Sequence, residues 1–317
     1  MTSKEKSAAA LASSRTIEFR RLEIKYLIDR TRRTGLAREL QAFLRPDVHG
    51  GRDGTYRVRS LYFDSPDYMA YHEKLDGEAE RHKFRVRVYG EDPSQATVVR
   101  LEVKSRYLNH IQKITVEIPR DGYKEVELAF RRRTLPPAWL MNTDTLSKEF
   151  LRLQRQRNME PKVLIQYRRQ AFERCASNRI RANFDDELVA SRSLDLLGPL
   201  QGARRVLQSG HAIFELKVDG AMPYWMHMLI AKYDLQDQAL SKYCYAVRSE
   251  ARLSCQERPD DLSPFRLEEH VRARPLDAAP QAAQSAALPS TGRRDLLPTA
   301  PTYLTRLPCE SSAENQR

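Results

Sequence analysis

One pattern constrains this chain more than any other: apolar and cationic residues alternate, strand after strand. In Lys83-Phe84-Arg85-Val86-Arg87-Val88 the three cations share one face of an extended segment and the apolar residues share the other. Arg100-Leu101-Glu102-Val103-Lys104 and Lys113-Ile114-Thr115-Val116-Glu117-Ile118 repeat it, as do Arg21-Leu22-Glu23-Ile24-Lys25 and Arg179-Ile180-Arg181. Phe214-Glu215-Leu216-Lys217-Val218 keeps the alternation around a carboxylate. A single strand of this kind is an ordinary solvated sheet face. Their recurrence points elsewhere, because every apolar face needs cover. Helices supply that cover from outside, and closing the sheet turns the charged faces inward. A cationic interior repels itself unless carboxylates or an anion compensate. Glu23, Glu102, Glu117 and Glu215 supply part of the compensation, and a bound polyanion supplies the rest.

The wider periodicity agrees. Period-2 segments over 20–28, 56–63, 82–90, 97–106, 111–119, 162–172, 179–185 and 211–219 predict strands. Residues 35–44, 66–75, 145–157 and 223–234 predict helices. Gly35 and Pro46 bracket the first, and Ser65-Pro66 opens the second with a cap and a proline at the first helical position. Many strands with few helices predict an α+β fold, a closed antiparallel β-barrel with helices packed outside. Residues 1–15 read as a loose tail, 16–253 as the barrel domain, and 254–317 as a disordered Pro/Ala/Ser-rich tail that cannot bury enough apolar surface to order itself.

Composition narrows the ligand. The chain has 54 Lys and Arg against 42 Asp and Glu, a formal charge of +12. That excess predicts an anionic partner: a nucleic acid, an acidic membrane surface or a phosphorylated small molecule. The cations occupy alternating strand positions rather than one helix or a surface of stacking aromatics, which argues against nucleic acid. No stretch approaches the ~18 apolar residues of a membrane span, so no membrane partner is indicated, and residues 1–14 lack the apolar core of a secretory signal. Cys175, Cys244, Cys255 and Cys309 form no C-x-x-C pair, which disfavours structural zinc and disulfides and fits a reducing cytoplasm. The histidines form no ligand pair, so a bound metal is expected on carboxylates and phosphate oxygens, as magnesium or manganese. Neither G-x-x-x-x-G-K-[ST] nor G-x-G-x-x-G occurs, so strand side chains must bind the phosphates. Arg presents a planar fork to two oxygens and Lys a compact point charge. Asp64 reads as a helix cap. Tyr62, Tyr89 and Tyr167 read as packing rings, and Trp225 with Met222, Met226 and Met228 as helix core. Arg85 and Arg87 are expected to be incompletely paired.

An ordered set of short motifs sharpens this. Arg21-x-Glu23-x-Lys25-Tyr26, Ser60-Leu61-Tyr62-Phe63-Asp64, Lys83-x-Arg85-x-Arg87-x-Tyr89-Gly90, Leu101-Glu102-Val103-Lys104, Tyr167-Arg168-Arg169, Arg181-x-x-Phe184-Asp185, Phe214-Glu215-Leu216-Lys217 and Ser241-Lys242-Tyr243 follow one another along residues 16–250. Together they resemble the vacuolar transporter chaperone (VTC) domain, a polyphosphate polymerase of the triphosphate tunnel metalloenzyme superfamily. The resemblance implies a tunnel that binds ATP with Mn2+ or Mg2+ and transfers the terminal phosphoryl group to inorganic polyphosphate, releasing ADP. It implies that Lys25, Arg85, Arg87, Lys104, Lys113, Arg169 and Arg181 contact phosphates and that Glu215 holds the metal. Ser241 and Lys242 would lie on the terminal helix, near the tunnel mouth and over the nucleotide phosphates. Tyr167 is placed by its motif on the nucleotide side as well as by its ring in the packing.

Two departures matter. Many hydrolases of the superfamily open with E-x-E-x-K, where this chain has Arg21, which favours a phosphate-chain synthase over a triphosphatase. The phosphate-sensing SPX domain and membrane helices of eukaryotic members are not expected here, so their regulation and export do not carry over. A metal-dependent triphosphatase and a non-catalytic polyphosphate or nucleotide sensor remain the competing expectations, with a nucleic-acid module behind them.

Overall fold

A computed structural model of the chain describes residues 13–19, 21–108, 110–141, 145–174 and 179–254. The expected C-terminal tail lies outside these residues, Ser254 apart. In chain order the elements are β1 (Ser13–Phe19), β2 (Arg21–Ile28), α1 (Arg30–Leu40), β3 (Arg45–Pro46), β4 (Thr55–Asp64) and α2 (Met69–Leu75). There follow β5 (Glu80–Tyr89), β6 (Val98–Tyr107), β7 (His110–Pro119), α3 (Arg120–Arg132), α4 (Ala138–Met141) and α5 (Thr145–Gln156). The last are β8 (Glu160–Arg174), β9 (Ile180–Ser191), β10 (Arg204–Arg205), β11 (Ala212–Asp219), α6 (Tyr224–Lys232) and α7 (Lys242–Ser254).

The strands form one antiparallel sheet in the order β1-β7-β6-β5-β4-β8-β9-β11-β2, with β3 added to β8 and β10 to β9. The sheet curls. Lys104 on β6 reaches Glu23 on the edge strand β2 at 2.9 Å, a contact that strands so far apart in the order make only across a concave face. The fold is therefore α+β around a curled antiparallel sheet. Among the described residues the hydrogen-bonded path stops at β1 and β2, which follow one another in the chain, so the sheet is a curled half-barrel there rather than the closed ladder expected.

Each apolar strand face finds its helix. Phe84, Val86, Val88, Leu101, Val103, Ile114 and Val116 pack beneath Tyr123, Val126 and Phe130 of α3, Trp139 of α4 and Phe150 of α5. On the other half, Tyr26, Phe184, Phe214 and Leu216 pack beneath Leu36 and Leu40 of α1 and Met226 of α6. Burying each such large side chain contributes about 1.5–3 kcal/mol. The expectation that helices pack outside fails for α7. Its Tyr243, Cys244 and Ala246 pack against Tyr62, Val58 and Ile165, on the concave face. Tyr243 donates to Asp64 Oδ2 at 2.6 Å and stacks on Tyr62.

Local differences from expectation have plain causes. Helix α1 starts five residues earlier than Gly35 because Asp29 caps it, accepting from the Arg32 N–H at 2.9 Å. Gly35 lies inside the helix, where a Cβ would come within 2.5 Å of Tyr233 Oη. Helix α2 starts at Met69 rather than Pro66, after Tyr68 in the left-handed region (φ 60°). Asp64 accepts from the Ala70 and Tyr71 amides at 2.7 and 3.0 Å, the capping role expected of it. Ser13–Arg15, expected in the N-terminal tail, begin β1 and pair with β7. Met228 is exposed rather than core, whereas Met226 is buried and Trp225 stacks on Phe43.

Candidate active site

Strand parity assembles the site. The register sets Ser60 opposite Arg87 and Tyr62 opposite Arg85 between β4 and β5, and Arg85 opposite Glu102, with Lys83 opposite Lys104, between β5 and β6. Lys104 in turn faces Lys113 on β7. On the other wall Arg169 faces Asp185, Lys217 faces Arg181, and Glu215 faces Lys25. All these side chains share the concave face, so the phosphate-contact residues expected from the sequence belong to one lining.

Four carboxylates organise the cations. Glu102, buried, accepts from Arg85 Nε at 2.6 Å, contacts Lys113, and lies 3.8 Å from Arg87 Nη1. Burial alone would favour its neutral form, yet Arg85, Arg87 and Lys113 hold its carboxyl well below the usual range. Asp185, fully buried, takes two bonds from Arg169 at 2.6 and 2.8 Å and an ion pair from Lys242 at 2.6 Å. Burial again opposes ionisation, but Arg169 and Lys242 pull its pKa down to about 2. Glu215 sits among Lys217 (3.2 Å), Lys25 (3.6 Å) and Arg169 (3.8 Å). Beside it Glu23 bridges Lys25 at 2.8 Å and Lys104 at 2.9 Å.

Arg85 is thus paired with Glu102, against expectation. The β5–β6 register puts that carboxylate directly opposite it, which the sequence of either strand alone does not reveal. Arg87 is the less compensated of the two; it donates to Ser60 Oγ at 2.8 Å and Tyr89 Oη at 3.3 Å. Arg181 is tied to Asp47 and to Tyr56 Oη (3.1 Å). Tyr167 is buried, with the Lys242 ammonium 5.0 Å and the Arg169 guanidinium 5.4 Å from its ring centre, so its ring carries two site cations. Ser241 directly precedes α7 and is largely buried, its Oγ accepting from the Cys244 N–H at 3.4 Å.

Some lining residues were read from the sequence as part of the charged face but not as phosphate contacts. Lys83 and Lys217 obey the same parity as Arg85 and Glu215, the only signal available for them. Burial drives both lysines down to about pKa 7; Lys25 and Lys104 add to the effect at Lys83, while Glu215 and Glu23 oppose it at Lys217. Arg100 pairs with Glu117 at 2.6 Å. Beyond Lys83, Arg81 and Arg106 face one another and line a recess of about 290 Å³ with Gly77, Glu78, Ala79 and Leu108.

The donors suit one kind of metal site. Among the described residues no three His, Cys, Asp or Glu side chains converge as a metal cage. Glu215, with Glu23 beside it, offers the carboxylate oxygen a hard cation such as Mg2+ takes, and the surrounding Lys217, Lys25 and Arg169 require that phosphate oxygens arrive with the cation.

The VTC domain model matches residues 20–250 of the chain. The search of curated proteins gave no match. Among solved structures, an adenylate cyclase-like protein of Bacillus halodurans aligns with TM-score 0.41 and 11% identity, over 71% of this chain and 95% of that one. A Pyrococcus horikoshii protein aligns at 0.36 and 8%, over 74% and 99%. An adenylate cyclase-like protein of Vibrio parahaemolyticus aligns at 0.31 and 10%, over 70% and 95%.

Proposed function

The chain belongs to the VTC domain family, and from that membership we propose that it is a polyphosphate polymerase. The proposed reaction transfers the terminal phosphoryl group of ATP to inorganic polyphosphate on the concave face. One observation carries the proposal: the enclosed face holds more cations than carboxylates, and Glu23, Glu102, Asp185 and Glu215 are each shared between at least two cations. Such a face is under-neutralised in a way that a chain of phosphates completes.

Phosphoryl transfer needs positioning and charge neutralisation more than covalent chemistry from the protein. Arg85, Arg87 and Arg169 offer planar forks to bridging and terminal oxygens, and Lys25, Lys104 and Lys113 offer point charges. Arg181 extends the row. Lys242 and Ser241, at the start of α7, serve the nucleotide side with Tyr167 beneath. The acceptor oxygen of a phosphate is already ionised near neutral pH, so no general base is required. Glu215, with phosphate oxygens, would hold Mn2+ or Mg2+, which supplies charge stabilisation to the transferring group. We assign this activity to residues 16–253 and to the cytoplasm, where ATP is available. Among the described residues no helix is long and apolar enough to cross a membrane.

The test is purified protein with ATP and Mn2+, resolved on a gel for phosphate polymer and assayed for free phosphate. Long polymer with ADP is the expected result. Free phosphate without polymer identifies a triphosphatase. Neither product, with tight tripolyphosphate binding retained, identifies a sensor.

A further inference from the structure

The β5–β6–β7 register places Lys83, Lys104 and Lys113 directly opposite one another, one lysine per strand. Like charges set opposite across a sheet destabilise it. Two of the three are relieved: Lys113 by Glu102 and Lys104 by Glu23. Lys83 is not, since no carboxylate among the described residues lies within ion-pair reach of it. Lys104 stands opposite it on β6, and Arg81 and Arg85 flank it on its own strand; the charges of Lys25 on β2 and Lys74 on α2 add to the effect of Lys104, and Cys244 on α7 opposes it. A half-buried amine set among cations and lacking a carboxylate partner sheds its proton at lower pH than a free one.

We infer that Lys83 is a further ligand of the phosphate chain, that it gives up its proton readily in the ligand-free protein, and that it is protonated when the chain is bound. The inference rests on the phosphate-chain reading for the identity of its ligand. A guanidinium cannot play this part, because it never loses its charge in a protein. A lysine can, and the row offers a place for it: the arriving phosphates supply the negative charge that the three opposed amines lack. Binding and protonation are then linked, so affinity rises as pH falls toward the apo pKa of about 7. Lys83 sits at the end of the lining where Arg81 and Arg106 continue the basic row.

The experiment is calorimetric titration of tripolyphosphate, with chelator and no metal, in buffers of different ionisation heat at pH 8. Wild type is compared with Lys83→Arg, which keeps the charge at every pH; protons released by the ligand itself are common to both. At pH 8 a group of pKa about 7 is roughly nine-tenths neutral, so wild type should take up close to one proton more than the variant. If the bound amine regains its ordinary basicity, wild-type affinity should also strengthen roughly fifty-fold more than the variant's between pH 9 and pH 7. Equal proton numbers and equal pH dependence, with binding intact, overturn the inference and leave the phosphate-chain reading standing. Failure of tripolyphosphate to bind wild type overturns both. A second measurement needs no variant. Amine acylation of wild-type Lys83, mapped by mass spectrometry, should reach half its maximal rate near pH 7 and be suppressed by tripolyphosphate. A half-maximum near pH 10, the ordinary lysine range, overturns the inference as well.

Discussion

Replacing Glu102 by Gln tests whether the interior is organised for an anion. The side chain is 2% exposed, accepts from Arg85 Nε at 2.6 Å, touches Lys113, and lies 3.8 Å from Arg87. Glutamine keeps the volume and removes the charge, leaving three cations without their shared counter-ion. Removing one partner of a buried ion pair costs about 3–5 kcal/mol. A domain of this size loses about 2–4 °C of melting temperature per kcal/mol, so the ligand-free variant should melt roughly 6–20 °C below wild type. Tripolyphosphate then supplies the missing charge. Its competitor for Arg85 has gone, and a charge-assisted hydrogen bond is worth about 1.5–3 kcal/mol, so its affinity for the variant should rise at least roughly tenfold. Thermal melts with and without tripolyphosphate read both effects, and the ligand-induced shift should be larger in the variant. A variant that melts with wild type, or one that tripolyphosphate stabilises no more than wild type, refutes the argument.

Other outcomes follow from the same geometry. Arg87→Ala should weaken tripolyphosphate binding by more than about tenfold, measured by calorimetry, while ligand-free melting changes less than in Glu102→Gln because Arg87 is the more distant partner of Glu102. Asp185 and Glu23 both have pKa values lowered to about 2, so the stability tied to their ionisation is full above about pH 5 and lost as pH falls through 2. Circular dichroism should place acid unfolding in that window, and a transition centred above pH 5 would contradict it. Glu215→Gln should abolish the Mn2+ dependence of turnover while tripolyphosphate binding without metal persists; an unchanged metal titration rejects Glu215 as the ligand.

Much of this was legible in the strands. Every predicted strand has its counterpart in the sheet, because alternation at period 2 is strong in Lys83–Val88 and in Lys113–Ile118. What was missed had weaker signals. Strand β1 begins Ser-Ser-Arg-Thr, with too few apolar residues to alternate. Helix α3 follows Pro119 without a break and buries Tyr123, Val126, Ala129 and Phe130, a helical stripe hidden behind a strand. The cations of the site were legible from parity, but their pairing was not. Which carboxylate stands opposite which cation depends on inter-strand register, and register is set by packing rather than by either strand alone. Hence Glu102 emerged as the counter-ion of Arg85, and Asp185 as that of Arg169 and Lys242, only from the assembled sheet. The placement of α7 on the concave face depends likewise on Tyr243 finding Asp64, 179 residues away.

The arrangement of fixed and labile charge along the lining has a physical consequence. Where the carboxylates are most buried, at Glu102 and Asp185, each is held by guanidiniums, Arg85 and Arg87 or Arg169, which stay charged at any working pH, with one lysine beside them, Lys113 or Lys242. Those pairs stabilise the ligand-free protein and fix the cations on the concave face. Where a cation lacks a counter-ion, as at Lys83, the residue is a lysine, whose charge is conditional. Full neutralisation by more carboxylates would leave the face with no attraction for an anion. No neutralisation would leave it too repulsive to fold. Sharing each carboxylate between cations, and letting an uncompensated lysine shed its proton, satisfies both conditions. The empty protein carries only the charge it can stabilise, and further charge appears as an anion arrives to meet it.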